Sequence, residues 1–174
     1  MDPELLLRWL HVIGATVLLG TGAGIAFFML MAHRSAEPRI IAHTAGVVVI
    51  ADTIFTATAV LAQPVTGWLL ARELGWDLTE AWFALSLGLY LVTVVFWLPV
   101  VWIQIRLRDL ARQAVAEGRP LPRRYHALFG IWFLCGIPAF VAVLTILWLM
   151  LAQPSFRGEA PTPATKSSRI FRGV

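Results

Sequence analysis

The sequence predicts an all-α protein, a bundle of four transmembrane helices that run up, down, up and down through a bilayer. Of its 174 residues, 59% are hydrophobic and only 14% are charged. Soluble domains are by contrast about half apolar and about a quarter charged. Four apolar segments are each long enough to cross a bilayer, which takes about 20 residues. Short connections between these segments favour antiparallel neighbours.

The four predicted spans differ in their proline content. Pro99 and Pro138 fall inside the third and fourth spans, where neighbouring helices satisfy the carbonyls that proline frees. Kinks are therefore expected at these two positions, and not helix ends. The predicted spans are Leu5 to Ala32, Ile40 to about Ala62, Trp82 to Ile105 and about Ala127 to Ala152.

Two segments outside the spans have compositions of their own. Residues 63–82 place Trp68, Leu70 and Trp76 among acidic residues, which predicts a short helix lying in the membrane interface between spans two and three. Residues 154–174 are rich in Pro, Ser, Thr and Gly, and they are predicted to form a disordered polar tail. The chain thus divides into a four-helix transmembrane domain, residues 1–153, and this tail.

The basic residues predict an orientation. Six arginines lie in the connection after the third span, and Arg34 and Arg39 lie in the connection after the first. The connection after the second span has one arginine, Arg72, and three acids. By the positive-inside rule, the first and third connections face the cytoplasm and both termini face the periplasm. Because the net charge of +4 is concentrated beside apolar blocks, it indicates a lipid bilayer as partner, and no nucleic acid.

Glycines occur in the first span in two patterns. Gly20 and Gly24 have the spacing that lets membrane helices approach closely, within the chain or between two copies in a homo-oligomer. Gly14 and Gly22 leave the space beside the helix that a flat cofactor would need. The spacing alone does not choose between helix packing and cofactor clearance.

Two histidines are expected to face each other across the bundle. His43 lies near the start of the second span and His126 at the start of the fourth, so both lie near the arginine-rich edge. A bis-histidine b-type haem requires two imidazoles held by different helices. Cations at the rim would hold the haem propionates. The candidates for that role are Arg106, Arg123 and Arg124.

The first span carries a histidine at each edge. His11 is a further candidate ligand of the haem iron, about 33 Å along the helix from His33. His33 stands beside Arg34 and has the pattern of an interfacial hydrogen-bonding residue. Histidines at membrane edges commonly have that role, so the alternative to a haem site is a purely structural set of histidines.

Asp52 lies near the bilayer midplane, which makes it the most costly residue of the predicted spans. Ionisable side chains at this depth are functional candidates by default. No Lys or Arg lies at that depth in any span, whereas Tyr90 of the third span does. We expect a protonated Asp52 hydrogen-bonded to Tyr90, or to Thr53 or Thr56. This group is either a polar clamp between helices or a proton-coupled site.

Several blocks of the sequence resemble one bacterial family. The chain resembles the integral membrane family called domain of unknown function 2269, over about residues 5–153. The resemblance implies a multi-pass protein of the bacterial inner membrane, and it implies no activity. The matching blocks are "LRWLHVIGATVLLGTGAGIAFFMLMAHRS", "IADTIFT", "FWLPVVWIQIRLRDLA" and "LPRRYHALFGIWFLCGIPAF".

A looser likeness concerns the first span alone. The stretch "LRWLHVIG", in a span that ends in "AHRS", is similar to the first helix of the HemJ-type protoporphyrinogen oxidases. Those membrane proteins carry haem and have a histidine near the start of that helix, where His11 stands here. They also have a lysine in a later span, and no predicted span here contains one. The likeness therefore implies haem binding through His11, without oxidation of protoporphyrinogen.

Two functions follow from these patterns. The first is binding of b-type haem, with electron transfer to a quinone or to another membrane redox protein. The second is a cofactor-free accessory subunit or small transporter, in which Asp52 is a buried polar or proton-coupled site. No H-E-x-x-H motif, Cys–His cluster or nucleophile elbow occurs, so the sequence designates no catalytic residue.

Overall fold

A computed structural model describes residues 2–76 and 79–154 of the chain. Four long helices make up nearly all of this part, and each is long and apolar enough to cross a membrane. They are α1 (Pro3–Ser35), α2 (Pro38–Glu73), α3 (Ala81–Glu117) and α4 (Arg123–Ala152). The described residues form no strand, so the predicted all-helical class with four spans is confirmed. The predicted disordered tail lies outside the described residues, apart from residue 154.

The helix ends follow from local sequence. Asp2 caps α1 by accepting a hydrogen bond from the backbone N–H of Glu4, and Pro3 takes the first helical position, where no N–H is needed. Pro38 does the same for α2. α3 ends at Gly118, whose φ of 63° is a left-handed conformation that glycine adopts without a steric penalty. Residues 36–37 and 118–122 are therefore tight connections between antiparallel helices.

The helices are longer than the predicted spans. α2 continues to Glu73 and takes up residues 63–73, for which the sequence predicts a separate interfacial helix. That expectation is wrong because this segment has a surface to pack on: Gln63 donates to the backbone carbonyl of His11, and Thr66 bonds the His11 ring. Residues 106–117 likewise extend α3, with a stripe of buried side chains facing the bundle: Leu107, Ala111 and Ala114.

The helices pack as a bundle in which neighbours in the chain are neighbours in space. α3 packs most extensively against α4, and the first half of α2 packs against α3. α1 packs along the whole length of α2, but it has far less contact with α4. α2 and α4 are therefore on the diagonal, as the sequence predicts, and the seam between α1 and α4 is sparsely packed.

The tightest packing lies at one end of the bundle. We call it the arginine-rich end, the end that holds connections 36–37 and 118–122. Met29, Ile41, Leu107 and Tyr125, one from each helix, are completely buried there and belong to one core cluster. These four side chains fix the relative positions of the helices at this end.

Large apolar side chains cover the outside of the bundle. Leu61, Leu134 and Leu151 have exposed fractions of 73%, 68% and 87%. In water such an extended apolar surface would be an aggregation hazard. In a bilayer it faces acyl chains, which agrees with four membrane spans.

Candidate functional site

A cavity of about 400 Å³ lies among the four helices in the membrane-spanning part of the bundle. α2 and α3 contribute most of its polar side chains, among them Asp52 and Gln104, whereas α1 and α4 contribute mostly apolar ones. This volume falls within the range of about 300–1,000 Å³ that is typical of small-molecule sites. The cavity is therefore large enough for a compact ligand.

The cavity collects the unpartnered polar atoms of the bundle. In the part of the chain that the structure describes, four buried side-chain N or O atoms lack a hydrogen-bond partner, and the residues that carry them all line this cavity. The four residues are at most 4% exposed. Each such atom costs about 1–3 kcal/mol. The atoms are Asp52 Oδ2, Thr56 Oγ1, Gln104 Oε1 and Trp132 Nε1.

Asp52 has one partnered oxygen and one free oxygen. Trp97 Nε1 donates to Asp52 Oδ1 at 3.3 Å, and Oδ2 has no partner among the described side chains. The expected bond from Tyr90 is not formed, because the Tyr90 hydroxyl donates to the backbone carbonyl of Val60. Thr53 instead bonds the Val49 carbonyl at 2.7 Å. The third expected partner, the Thr56 hydroxyl, does lie close enough to the Asp52 carboxyl to interact with it, although not in good hydrogen-bond geometry. Asp52 is thus held by α3 through an indole that the sequence did not single out.

A π-helical turn presents Asp52 to the cavity. The helix widens over Asp52–Thr56, and the backbone N–H of Ala57 reaches back to the Asp52 carbonyl. Such turns add one residue to a helical repeat and occur frequently at functional sites. Here the turn leaves Asp52 and Thr56 both buried and both in the cavity lining.

Two of the polar cavity residues carried a signal that sequence reasoning missed. Gln104 is an uncharged polar side chain next to the end of the predicted third span, and Trp132 lies in the first turns of the fourth. Either observation singles out a residue that needs a hydrogen-bond partner in the bilayer. What the sequence does not show is that both side chains border the same cavity as Asp52.

His11 joins α1 to α2 at the end of the bundle opposite the arginines. Its Nδ1 lies 2.9 Å from Thr66 Oγ1. In the tautomer in which Nδ1 donates, the Thr66 hydroxyl is left to donate to the Ala62 carbonyl, and His11 Nε2 keeps its lone pair. Gly67 lies against the ring, where a Cβ would come 3.1 Å from Cε1.

Gly14 gives clearance to a side chain of the protein itself. A Cβ at this position would collide with the amide of Gln63, which donates to the His11 carbonyl at 2.9 Å. Gly22 instead borders the 400 Å³ cavity, and a Cβ there would meet nothing within 4 Å. Gly20 also has open space beside it, so its role in close helix packing stays a prediction.

The structure pairs His126 with His33. The two rings are 5.7 Å apart between centroids, and the His33 ring stacks on Phe129 at 3.7 Å. His43 is exposed, and neither described cavity includes it in its lining. The pair expected from sequence, His43 with His126, is therefore not brought together.

His33 and His126 line a second cavity, at the arginine-rich end. It has a volume of about 670 Å³, and Arg39 and Arg119 also line it. The three arginines proposed for propionates are exposed and lie outside its lining. They are Arg106, which stacks over Trp102 at 5.8 Å, Arg123 and Arg124. No group of three or more His, Cys, Asp or Glu able to hold a metal ion occurs among the residues described.

Comparison with known proteins places the chain in a family. None of the curated proteins and none of the solved structures matches it. A family model described as "Predicted integral membrane protein (DUF2269)" matches residues 5–154. This range covers the four helices almost completely and contains Asp52, both cavities and the four histidines. The chain is therefore an integral, multi-pass membrane protein that belongs to the DUF2269 family.

Proposed function

We propose that this protein binds a small lipid-soluble molecule inside the bilayer, with the polar end of that molecule at Asp52. It then acts as a small transporter or as an accessory subunit that presents the molecule to a partner. One observation carries this proposal. All four unpartnered buried polar atoms of the described chain belong to residues that border one cavity of ligand size.

A structural clamp accounts for these atoms less well than a binding site does. A clamp stabilises helix packing when its polar groups satisfy each other, and half-satisfied polar groups are worse than an apolar core. Here Trp97 satisfies Asp52 Oδ1 and Thr56 lies close to the same carboxyl, but Gln104 Oε1 and Trp132 Nε1 have no partner. Partners for the remaining atoms have to come from a molecule in the cavity, either a ligand or ordered water.

The cavity has an access route from the lipid. It lies beside the sparse seam between α1 and α4, where Ala23 and Ala26 of α1 are exposed and line it. Gly136 and Ala139 form the facing wall on α4. Small side chains on both walls leave a gap that an apolar molecule dissolved in the bilayer can enter sideways.

A heavy-atom quencher tests this proposal, because two tryptophans border the cavity. We expect 4-bromobenzyl alcohol, which has an apolar ring and a hydroxyl, to quench the fluorescence of the detergent-solubilised protein saturably. Gly136→Phe fills the cavity and should abolish the saturable part. Leu134→Phe, on the lipid-facing side of the same helix, is the matched control and should retain it. Quenching that never saturates in the wild type would refute the binding site.

Haem binding is the second candidate, and we propose two positions for it. At the arginine-rich end, His126 and His33 are close enough to act together, and Arg39 and Arg119 could hold propionates. At the other end, His11 has a free Nε2 and an Nδ1 fixed by Thr66, the usual arrangement of a metal-ligating histidine. A bound haem would supply one-electron transfer to a quinone or a redox protein.

Absorption spectra of the purified protein, oxidised and dithionite-reduced, test the haem proposal. A Soret band with sharp reduced α and β bands is the expected result, and single alanine variants then assign the ligands. Protein that is colourless after expression in haem-replete cells rejects haem and leaves the cavity proposal intact. The variants are His11→Ala, His33→Ala, His43→Ala and His126→Ala.

We further propose that the arginine-rich end faces the cytoplasm of a bacterial inner membrane. The support is the excess of arginine in the first and third connections. Two single-cysteine variants in a Cys135→Ser background test it. An impermeant maleimide should label Glu73→Cys in intact cells and Arg119→Cys only after permeabilisation. The reverse pattern overturns the orientation.

A further inference from the structure

We propose that the intramembrane cavity takes a lipophilic cation, which displaces a proton from Asp52. The inference rests on the proposed function of this cavity and specifies the ligand class. It is drawn from the charge of the lining, the aromatic rings around it and the free oxygen of Asp52.

The lining of the intramembrane cavity offers a negative charge and no positive one. Asp52 is the only side chain with a titratable group among the lining residues. α1 faces the cavity with leucine, isoleucine, glycine and alanine; α3 with Thr93, Trp97, Gln104 and valines; α4 with glycine, alanine, Trp132 and apolar side chains. Tyr90 of α3 lies outside this lining, and its hydroxyl donates to the Val60 carbonyl. Among the described residues, the cavity lining therefore provides a carboxylate site without a cation to match it.

The unpartnered atoms are also electron-rich. Three of the four are oxygens that can accept hydrogen bonds, namely those of Asp52, Thr56 and Gln104, and Trp132 Nε1 is a donor; the Thr56 hydroxyl and a protonated Asp52 can donate as well. Once Asp52 has lost its proton, its carboxylate and the Gln104 side-chain carbonyl can only accept hydrogen bonds. An electropositive ligand suits this set.

Aromatic faces complete the complementarity. The rings of Trp97, Trp132, Phe133 and Phe140 line the cavity. A cation placed against the face of a tryptophan or phenylalanine ring is attracted by its quadrupole, most strongly where water is excluded. An organic cation with an apolar body thus finds a counter-ion, ring faces and an apolar wall in one site.

The ion exchange balances in charge and in protons. A carboxyl group without a cationic partner in an apolar environment is held neutral by its proton. When the cation enters, the Asp52 O–H bond breaks, the proton leaves to the aqueous phase, and the carboxylate pairs with the cation. One positive charge enters and one leaves, so the cavity stays neutral. Apparent cation affinity therefore rises with pH, because fewer protons compete for Asp52.

Two isosteric probes test the charge requirement. Benzyltrimethylammonium is a quaternary cation that carries no proton of its own, and neopentylbenzene is its uncharged carbon analogue. We expect the cation to bind the wild type in detergent about tenfold or more tightly than the hydrocarbon. Calorimetry in two buffers of different ionisation enthalpy should count about one proton released per cation bound.

Variants assign the effect to Asp52. Asp52→Asn should weaken cation binding about tenfold or more and abolish proton release, while leaving the saturable quenching by 4-bromobenzyl alcohol in place. Asp109→Asn, on the exposed surface of α3, is the matched control and should change neither. The retained quenching also shows that Asp52→Asn is folded.

The outcomes separate the two proposals. If neopentylbenzene binds as tightly as the cation, the cavity is a ligand site for neutral molecules and the cation inference is wrong. If the cation binds without releasing a proton, exchange at Asp52 is wrong. If 4-bromobenzyl alcohol also shows no saturable quenching in the wild type, the proposed function itself fails.

Discussion

The arginine-rich end and the middle of the bundle are built from similar apolar residues but are packed in opposite ways. At the arginine-rich end, Met29, Ile41, Leu107 and Tyr125 interlock with no exposed surface. In the middle, the same four helices surround a cavity that apolar side chains of α1 and α4 line without filling. Because helices in a membrane associate through close packing, the first region carries the stability of the bundle.

This difference separates stability from function. A region that only had to hold helices together would be filled, since each unfilled volume gives up packing contacts. The middle instead retains both a cavity and unpartnered polar atoms. Substitutions at the arginine-rich end should therefore act on folding, and substitutions around Asp52 should act on binding.

The largest effect is expected in the packed core. Leu107→Ala removes a completely buried side chain and should lower the free energy of unfolding by about 2–5 kcal/mol. Unfolding by dodecyl sulfate in mixed micelles measures it. Leu134→Ala, at a 68% exposed position, should stay within about 0.5 kcal/mol of the wild type. Equal losses at the two positions would contradict the contrast between the regions.

A smaller loss is expected at the hydrogen bond that holds Asp52. Trp97→Phe keeps an aromatic ring but removes the indole donor, so that Asp52 loses its one hydrogen bond of good geometry. The free energy of unfolding should fall by about 1–3 kcal/mol. Trp102→Phe, an exposed tryptophan on the same helix, serves as control. No change in Trp97→Phe would show that Asp52 is held by other contacts.

The sequence was sufficient for the framework of the fold. Hydropathy and length predicted the four spans, and the charge of Asp52 marked the one costly group at the midplane, because both depend only on residue type and depth. The boundaries were less accurate. Residues 63–73 looked interfacial, yet hydrogen bonds from Gln63 and Thr66 to α1 keep them in α2.

The sequence did not predict which face of each helix points into the bundle. Phase arguments assume a regular helix, and the π turn at Asp52–Thr56 adds a residue that rotates the rest of α2 relative to its start. The sequence placed His43 and His126 at compatible depths. Whether two side chains face each other depends on the rotation of each helix about its axis, and apolar composition does not determine that rotation. Trp97 escaped notice for the same reason.

A substitution at Thr56 should leave the free energy of unfolding unchanged or raise it relative to the wild type. Thr56→Val replaces an unpartnered buried hydroxyl by a methyl group of similar shape, which should raise the free energy of unfolding by up to about 1 kcal/mol. Thr53→Val is the control, because it removes a hydroxyl that donates to the Val49 carbonyl. A loss above about 1 kcal/mol in Thr56→Val would mean that this hydroxyl has a structural partner, and the cavity would then resemble the core.

The smallest effect is expected where α1 and α2 meet, at the end opposite the arginines. Thr66→Val removes the acceptor of the His11 Nδ1–H and should cost about 0.6 kcal/mol, the average for hydrogen bonds between membrane helices. Thr16→Val, which removes a bond within α1 to the Val12 carbonyl, is the matched control. A double-mutant cycle with His11→Ala isolates the pair. A coupling energy as large as the loss of stability in Leu107→Ala would mean that this end is held as firmly as the arginine-rich end. The two ends of the bundle would then be equally stable, and only the cavity region would differ from them.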